Sequence, residues 1–291
     1  RALFDGMGSY LRANGVERVV DQTAFPDDAF RTAWGVADEE LFRHSLVELD
    51  TLHASGDPFY ALVLTVSNHR PYRFPQEHVQ YDRGMDRRHN AVRYADWALG
   101  EFIRQARQHP FFDDTLFVLM GDHGARVYGA AEIPLPSYHV PILFLAPGSV
   151  EPGRVETLAS SLDVPATVLA RLGIAAPSHF FGRPLLADAP GGRALMTHNN
   201  EVALLEGREM AVLGLHGRTE SFSCTDSLSA CAGELGAGRE ADRLVDDAIA
   251  YYEGADLLYR SGELAAPEAA GPRVASAADV AASPVARSDA R

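Results

Sequence analysis

The sequence predicts an α/β fold, a mainly parallel sheet flanked by helices, with a small antiparallel meander near the C-terminus. Three observations predict it. Strand-sized apolar runs, Phe59–Val66, Leu116–Met120 and Pro141–Leu145, alternate with helical patterns up to about residue 173. Two of these runs are continuous rather than alternating, as in strands covered on both faces. After about residue 190 the pattern changes to short strands at 194–197, 202–205 and 210–215, split by Asn199-Asn200 and Gly207-Arg208. The expected organisation is an α/β domain over 1–190, a small antiparallel sheet plus helix over 191–262, and a tail over 263–291.

The first helix with a clear stripe opens at Asp38-Glu39-Glu40, where acids suit the positive end of the helix and Asp38 can cap it. Leu41, Phe42, Leu46, Leu49 and Leu52 form its buried stripe, and Gly56 and Pro58 end it. Val16–Val20 reads as a short strand. Arg88–Gln108 is the second long helix, with Ala91, Val92, Ala95, Ala98, Leu99, Phe102, Ile103 and Ala106 on one face, stopped by Pro110. Asp163-Val-Pro165 caps a short helix that ends near Gly173, and a further helix is expected over 242–259. The Ala-, Pro- and Ser-rich stretch from about Leu264 has few large apolar residues and is expected to be disordered.

At 291 residues the chain can bury a substantial core. Its net charge of −14 is the reverse of a nucleic-acid footprint, so no nucleic-acid partner is expected. An anionic substrate would need a local metal or His/Arg cluster to hold it. No apolar run is long enough to span a bilayer. The chain opens with Arg1 and is expected to be a segment of a longer protein. Cys224 and Cys231 are too few for a disulfide scaffold; a short bridged loop and two free thiols both remain open.

The chemistry concentrates at strand ends. The run at Leu116–Met120 stops at Gly121, and Asp122, His123 and Gly124 follow at once. A carboxylate and an imidazole are good ligands for a divalent metal, and beyond the strand end the two can converge. The alternative is a capping Asp and a surface His in a turn. Two ligands are too few for a catalytic metal, which takes three or four from the protein. His69 ends the preceding apolar run; it can hold a phosphoryl oxygen or protonate a leaving alkoxide, or simply bond backbone near Pro71. His139 joins the Asp122–His123 loop only if the strand that follows it runs antiparallel. Arg126 can bind an anion or sit solvated in its loop. Asp163 reads as a helix cap. There is no nucleophile elbow, Walker loop, His-Glu-x-x-His or dinucleotide fingerprint.

Several motifs in order carry a resemblance. They are Trp34-Gly-Val-x-Asp-x-x-Leu-Phe42, Ser67-Asn-His69, Tyr94-Ala-Asp96, Gly121-Asp-His-Gly124, His139-Val-Pro141, Leu162-Asp-Val-Pro-Ala-Thr-Val-Leu169 with Gly173, and Gly182-Arg-Pro-Leu185. Over roughly residues 1–215 the chain resembles the sulfatase-like phosphoglycerol transferases, lipoteichoic acid synthase among them, of the alkaline phosphatase superfamily. The resemblance implies a metal-dependent transferase acting on a cell-envelope lipid or glycan. A threonine activated on the metal attacks a phosphodiester, and an acceptor hydroxyl or water then releases the phosphoryl group. It implies Asp122 and His123 as metal ligands, His69 as a catalytic residue in contact with substrate, and His139 as a substrate-binding residue; Arg126, three residues beyond His123, is expected beside them as a substrate-binding residue from its position. The metal it implies is manganese above all, with zinc or magnesium as alternatives. The partners it implies are an anionic phospholipid or glycan and the N-terminal part of the same protein.

The implied location is the extracytoplasmic, periplasmic side of an inner membrane. The family's threonine and first acidic ligand precede the segment matching Phe4–Tyr10, so both are expected upstream of residue 1, and the chain alone is expected to be inactive. The family's aromatic-Asn-Arg segment for glycerol phosphate matches Phe4-Asp-Gly-Met7, where the arginine has no counterpart. A phosphodiesterase, a sulfuric ester hydrolase and a non-catalytic module on the same scaffold are the alternatives. Sulfatases usually carry Asn where this chain has His123, which favours phosphorus over sulfur.

Overall fold

The computed structural model describes residues 6–125, 132–186, 191–225, 228, 231–234, 239–264 and 273–274. In chain order the elements are α1 (Met7–Ala13), α2 (Asp38–Ala54), α3 (Arg87–Ala106), β1 (Phe117–Met120), β2 (Ile142–Leu145), α4 (Asp163–Arg171), β3 (Ile174–Ala175), β4 (Arg193–His198), β5 (Glu201–Glu206), β6 (Glu209–Leu213), β7 (Thr219–Cys224), β8 (Cys231–Glu234), α5 (Arg239–Ser261) and β9 (Arg273–Val274). The chain divides into two compact units. One comprises residues 1–115 and 145–150, the other 116–144 and 151–291.

In the first unit α2 packs on α3. Phe42, Leu46 and Leu49 are buried on α2, and Ala91, Tyr94, Ala98, Phe102 and Ala106 on α3, with the Phe42 and Phe102 rings stacked at 4.8 Å. Val92, expected on the same face, is exposed instead. A second cluster joins Ala37, Phe74, Val79, Ala91 and Tyr94. Asp38 is not the helix cap that the sequence suggests. Ala37 holds that position, and Asp38 is the first helical residue, almost wholly buried. Its Oδ1 accepts from the backbone N–H groups of Val66 and Ser67, both at 2.9 Å, and its own N–H donates to Ser67 Oγ at 3.0 Å. A fixed local cap is thereby exchanged for a tie to a loop 28 residues away.

The segment that leads into this tie also differs from the expectation. Phe59–Val66, expected as a buried strand, is not a strand here. The backbone N–H of Val66 goes to a carboxylate, and Tyr60, Leu62 and Leu64 are exposed. Apolar sequence alone does not make a strand; a pairing partner must satisfy the backbone. Val16–Val20 is likewise irregular.

The second unit is built on the five-stranded sheet β4-β5-β6-β7-β8, antiparallel throughout. Its two tight hairpins turn at Asn199 (φ 53°) and Gly207 (φ 55°), the left-handed positions that Asn and Gly tolerate best. The two faces read off the sequence with period two. Ala203, Leu205, Met210 and Val212 pack with Ile133 and Leu135 on one side. Leu204 and Ala211 pack with Leu244 and Ala248 of α5 on the other. Cys224 and Cys231 face each other across β7 and β8 and are joined as a disulfide.

The helix α4 is tied to this sheet by a buried ion pair. Arg193 and Asp163 side chains are each 2% exposed, with Arg193 Nη1 3.0 Å from Asp163 Oδ1. Arg193 also donates to the Tyr251 hydroxyl (2.8 Å) and to the Phe181 carbonyl. Asp163 further accepts from the N–H groups of Ser160 and Arg183, both at 2.8 Å. Asp163 therefore does more than cap: it sits one residue inside the helix and gathers three segments. The tail expected to be disordered lies largely outside the described residues, but Arg273–Val274 pairs antiparallel with Ile174–Ala175.

Two predictions follow from these buried acids. Arg193→Leu strands the Asp163 carboxylate and should lower unfolding free energy by about 3–5 kcal/mol in urea titration. Burial, opposed by the bonds from Val66 and Ser67, raises the pKa of Asp38. A raised carboxyl pKa means the folded state binds the proton more tightly, so this contribution is full below the unfolded value and is lost as pH rises through the folded one. The stability advantage of wild type over Asp38→Asn, read by urea titration, should therefore shrink as pH rises above about 4.

Candidate functional site

The site is assembled where β1 ends. Gly121 N–H donates to the Pro141 carbonyl (3.2 Å), and Gly124 N–H to the Ser137 carbonyl (3.0 Å). The partners step forward on one segment and backward on the other, which is an antiparallel arrangement. His139 lies between Ser137 and Pro141, so it sits opposite the Asp122–His123 turn. This is the topology on which its candidacy depended.

The glycines of the motif have a steric reason. A Cβ on Gly124 would stand 2.4 Å from the Ser137 carbonyl oxygen, and one on Gly121 would meet Val140 at 3.3 Å. Between them, Asp122 and His123 turn outward, with side chains 72% and 76% exposed. The turn is held from within. Asp122 Oδ1 accepts from the His123 N–H at 2.8 Å, and His123 Nδ1 lies 2.9 Å from the Gly124 carbonyl. A carbonyl partner requires Nδ1 to carry the proton, which leaves the Nε2 lone pair free to ligate. Asp122 Oδ2 is 3.7 Å from that Nε2. Two ligands on one cation, each at roughly 2.1 Å, stand about 3.0–3.6 Å apart, so a small side-chain adjustment brings both onto one ion. The pair fits two corners of a coordination sphere. Among the described residues no group of three or more His, Cys, Asp or Glu gathers to complete it.

The segment opposite is pinned to the sheet. Tyr138 donates to the Thr197 carbonyl and lies 3.0 Å from His198 Nδ1. His198 is the side chain here that sequence reasoning did not single out; the signal available was a His at a strand end before the Asn199-Asn200 turn. Glu132, at the start of the segment, pairs with Arg218, which also meets Glu201 at 2.6 Å and Glu220 at 2.8 Å. Arg126 lies outside the described residues.

His69 belongs to the first unit and has its own support. Its N–H donates to the Val66 carbonyl (3.0 Å), and its carbonyl accepts from Tyr72 (2.8 Å). Its ring packs against Trp34 at a tilt of 35° with centroids 3.6 Å apart, while Trp34 Nε1 donates to the Arg70 carbonyl at 2.7 Å. Asp38 fixes the two residues at the root of this loop. The loop is thus braced at both ends, with an exposed imidazole at its crown.

The steric role of Gly124 makes a direct prediction. Gly124→Ala should break the bond to Ser137 and cost about 1–3 kcal/mol in thermal or urea unfolding. Gly100→Ala, on an exposed helical surface with nothing within 4 Å of the new Cβ, should instead stabilise by about 0.5–1 kcal/mol.

Comparison with known proteins places this geometry. The model of the family described as Sulfatase matches residues 3–174. A phosphoglycerol transferase I of Xanthomonas euvesicatoria is 30% identical over 200 residues, 65% of this chain. A lipoteichoic acid synthase-like protein of Bacillus subtilis is 27% identical over 60% of this chain. The chain spans 28% and 31% of the length of these two relatives. A crystal structure of an alkaline phosphatase superfamily protein from Vibrio parahaemolyticus matches with a TM-score of 0.82 at 30% identity, covering 90% of this chain and 64% of that one. The lipoteichoic acid synthase of Listeria monocytogenes shares the fold, with a TM-score of 0.74 at 20% identity, over 88% of this chain and 67% of that one. With its family match running through both the His69 loop and the Asp122–His123 turn, the chain belongs to the sulfatase family, on an alkaline-phosphatase-superfamily fold.

Proposed function

We propose that this chain is the C-terminal portion of the catalytic domain of a metal-dependent phosphoglycerol-type transferase acting on a cell-envelope lipid or glycan. The observation that carries the reading is the Gly121–Gly124 turn, which presents a carboxylate and an imidazole together at a strand end, with Asp122 Oδ2 3.7 Å from His123 Nε2. The names of the relatives point to phosphoglycerol transfer rather than sulfate hydrolysis. In this reading Asp122 and His123 hold a divalent metal, manganese first, with zinc and magnesium as alternatives. The metal would neutralise nonbridging phosphoryl oxygens and favour ionisation of the nucleophile.

The chain's own residues supply three further groups. His69, packed against Trp34, would hold a phosphoryl oxygen or protonate the leaving oxygen. His139 and Arg126 contact the substrate. The nucleophile and first acidic ligand come from the N-terminal part of the same protein, the chain's first partner in this reading; the second is an anionic phospholipid or glycan. The working location is the extracytoplasmic side of the inner membrane. Among the described residues no helix is long and apolar enough to cross a bilayer. A phosphodiesterase differs from this reading only in taking water as the acceptor.

Manganese titration of the whole protein, followed calorimetrically, tests the reading. Asp122→Ala and His123→Ala should each weaken binding by about tenfold or more, and the double variant should abolish it. Equal manganese affinity in wild type and double variant would sink the proposal. His69→Gln should leave manganese affinity within about twofold while reducing transfer by roughly 100-fold or more. A parallel loss of metal would move His69 from catalysis to ligation.

A further inference from the structure

The loop that carries His69 continues directly into the wall of a cleft. Phe30, Pro71, Tyr72, Arg73, Tyr81 and Arg87 line it, with Phe74 and Gln76, and it encloses about 370 Å³. Its aromatic side is anchored from behind. Phe74 is buried and stacks on Tyr94 at 5.0 Å and on Tyr81 at 6.4 Å. Phe30, Tyr72 and Tyr81 are half-buried against that same cluster. Tyr72 is held at a φ of 61°, a left-handed backbone that a tyrosine rarely adopts, and its N–H is taken by the His69 carbonyl. The aromatic wall is therefore fixed in place and begins within one turn of His69.

The two arginines need a different explanation. Neither Arg73 nor Arg87 has an ion pair among the described residues, in a protein with 40 acidic and 26 basic side chains. Arg87 is the first residue of α3, and the first turn of that helix holds no acid. A cation there opposes the helix dipole. Its position is rigid: the helix cap Asp86 accepts from His89 N–H, and buried Asn90 holds the preceding loop through Asp82, Met85 and Asp86. Both guanidinium groups are exposed on the lining of one cleft. A bound anion can pair with both.

We propose that this cleft is a subsite for a phosphorylated saccharide. Arg73 and Arg87 hold the phosphate, and Tyr72, Tyr81 and Phe30 cover the apolar face of the sugar ring. The inference deepens the transferase reading, on which its role depends: the subsite would hold an anionic sugar unit of the glycan acceptor or product beside the His69 loop. Its binding chemistry stands without that reading. The protein's net charge gives an anion no long-range attraction, so affinity must come from these local groups and fall with salt.

The test is calorimetric titration of the whole protein with glucose 6-phosphate, inorganic phosphate and glucose, and flotation with phosphatidylglycerol vesicles. Glucose 6-phosphate should bind about tenfold or more tighter than phosphate or glucose. Arg73→Gln and Arg87→Gln should each weaken it by about tenfold, with thermal stability unchanged. Absence of saturable binding, or equal binding by both variants, would overturn the subsite. So would phosphate binding as tightly as the sugar phosphate. Vesicle binding that needs both arginines, without sugar phosphate binding, would make it a lipid-headgroup site and overturn the saccharide assignment. The manganese titration reads the transferase separately: sugar phosphate binding with no metal binding keeps the cleft and discards the transferase.

Discussion

The second unit depends on one buried ion pair. Asp163 and Arg193 lie at the start of α4 and of β4, thirty residues apart. Such a pair is costly to desolvate, and it holds only because nearly every lone pair and N–H finds a partner. Here the carboxylate takes backbone N–H groups from Ser160 and Arg183, and the guanidinium takes Phe181 and Tyr251. Four segments therefore meet at one polar point: the loop before α4, the Gly182-Arg-Pro turn, the first strand of the meander, and α5. Two glycines allow the approach. A Cβ on Gly182 or Gly192 would stand 1.9 Å from a backbone oxygen. A wholly apolar junction would pack as densely but would not fix the register of these segments so narrowly.

The first unit repeats the device. Asp38 also occupies the first position of a helix, is also almost wholly buried, and also spends its carboxylate on a remote backbone. In both cases an acid near the positive end of a helix gains from the dipole while pinning a loop. The loop pinned by Asp38 leads straight to His69. The Asp122–His123 turn is fixed by a third route, backbone pairing made possible by a missing Cβ. His69, Asp122 and His123 thus stand on supported backbone while remaining exposed themselves, as groups that must meet ligand require.

These supports explain what the sequence could and could not reveal. The helices α2, α3 and α5 and the meander were legible because their signals are local: a 3.6-residue stripe, or a period of two broken by Asn-Asn and Gly-Arg. Gly121-Asp-His-Gly124 was legible as a unit because a strand end followed by two ligand-type residues and glycine is also local. The placement of His139 opposite this turn was not, because strand direction depends on a partner that no window of sequence contains. The roles of Asp38 and Asp163 were misjudged for the same reason. Each looks like a cap from its neighbours alone, and only the folded chain shows the distant N–H groups that claim it. Phe59–Val66 shows the converse error. Its composition is that of a buried strand, yet Tyr60, Leu62 and Leu64 face solvent. A strand is a relation between segments, and half of that relation lies outside the run itself.

The same distinction bears on Asp122 and His123, the pair proposed to hold a metal. Two ligands on one turn share a support, so their mutual spacing is set locally, at 3.7 Å between Nε2 and Oδ2. A closed coordination sphere needs further donors, and in families that split a site across the chain those come from segments far away in sequence. A local motif can therefore specify half a site completely and the other half not at all. The rigidity of the visible half then has a physical use. In the proposed metal reading, a pair held in place by Gly124, Ser137 and its own backbone would lose little conformational freedom when further donors arrive, leaving more of the binding energy of the metal to join the two halves.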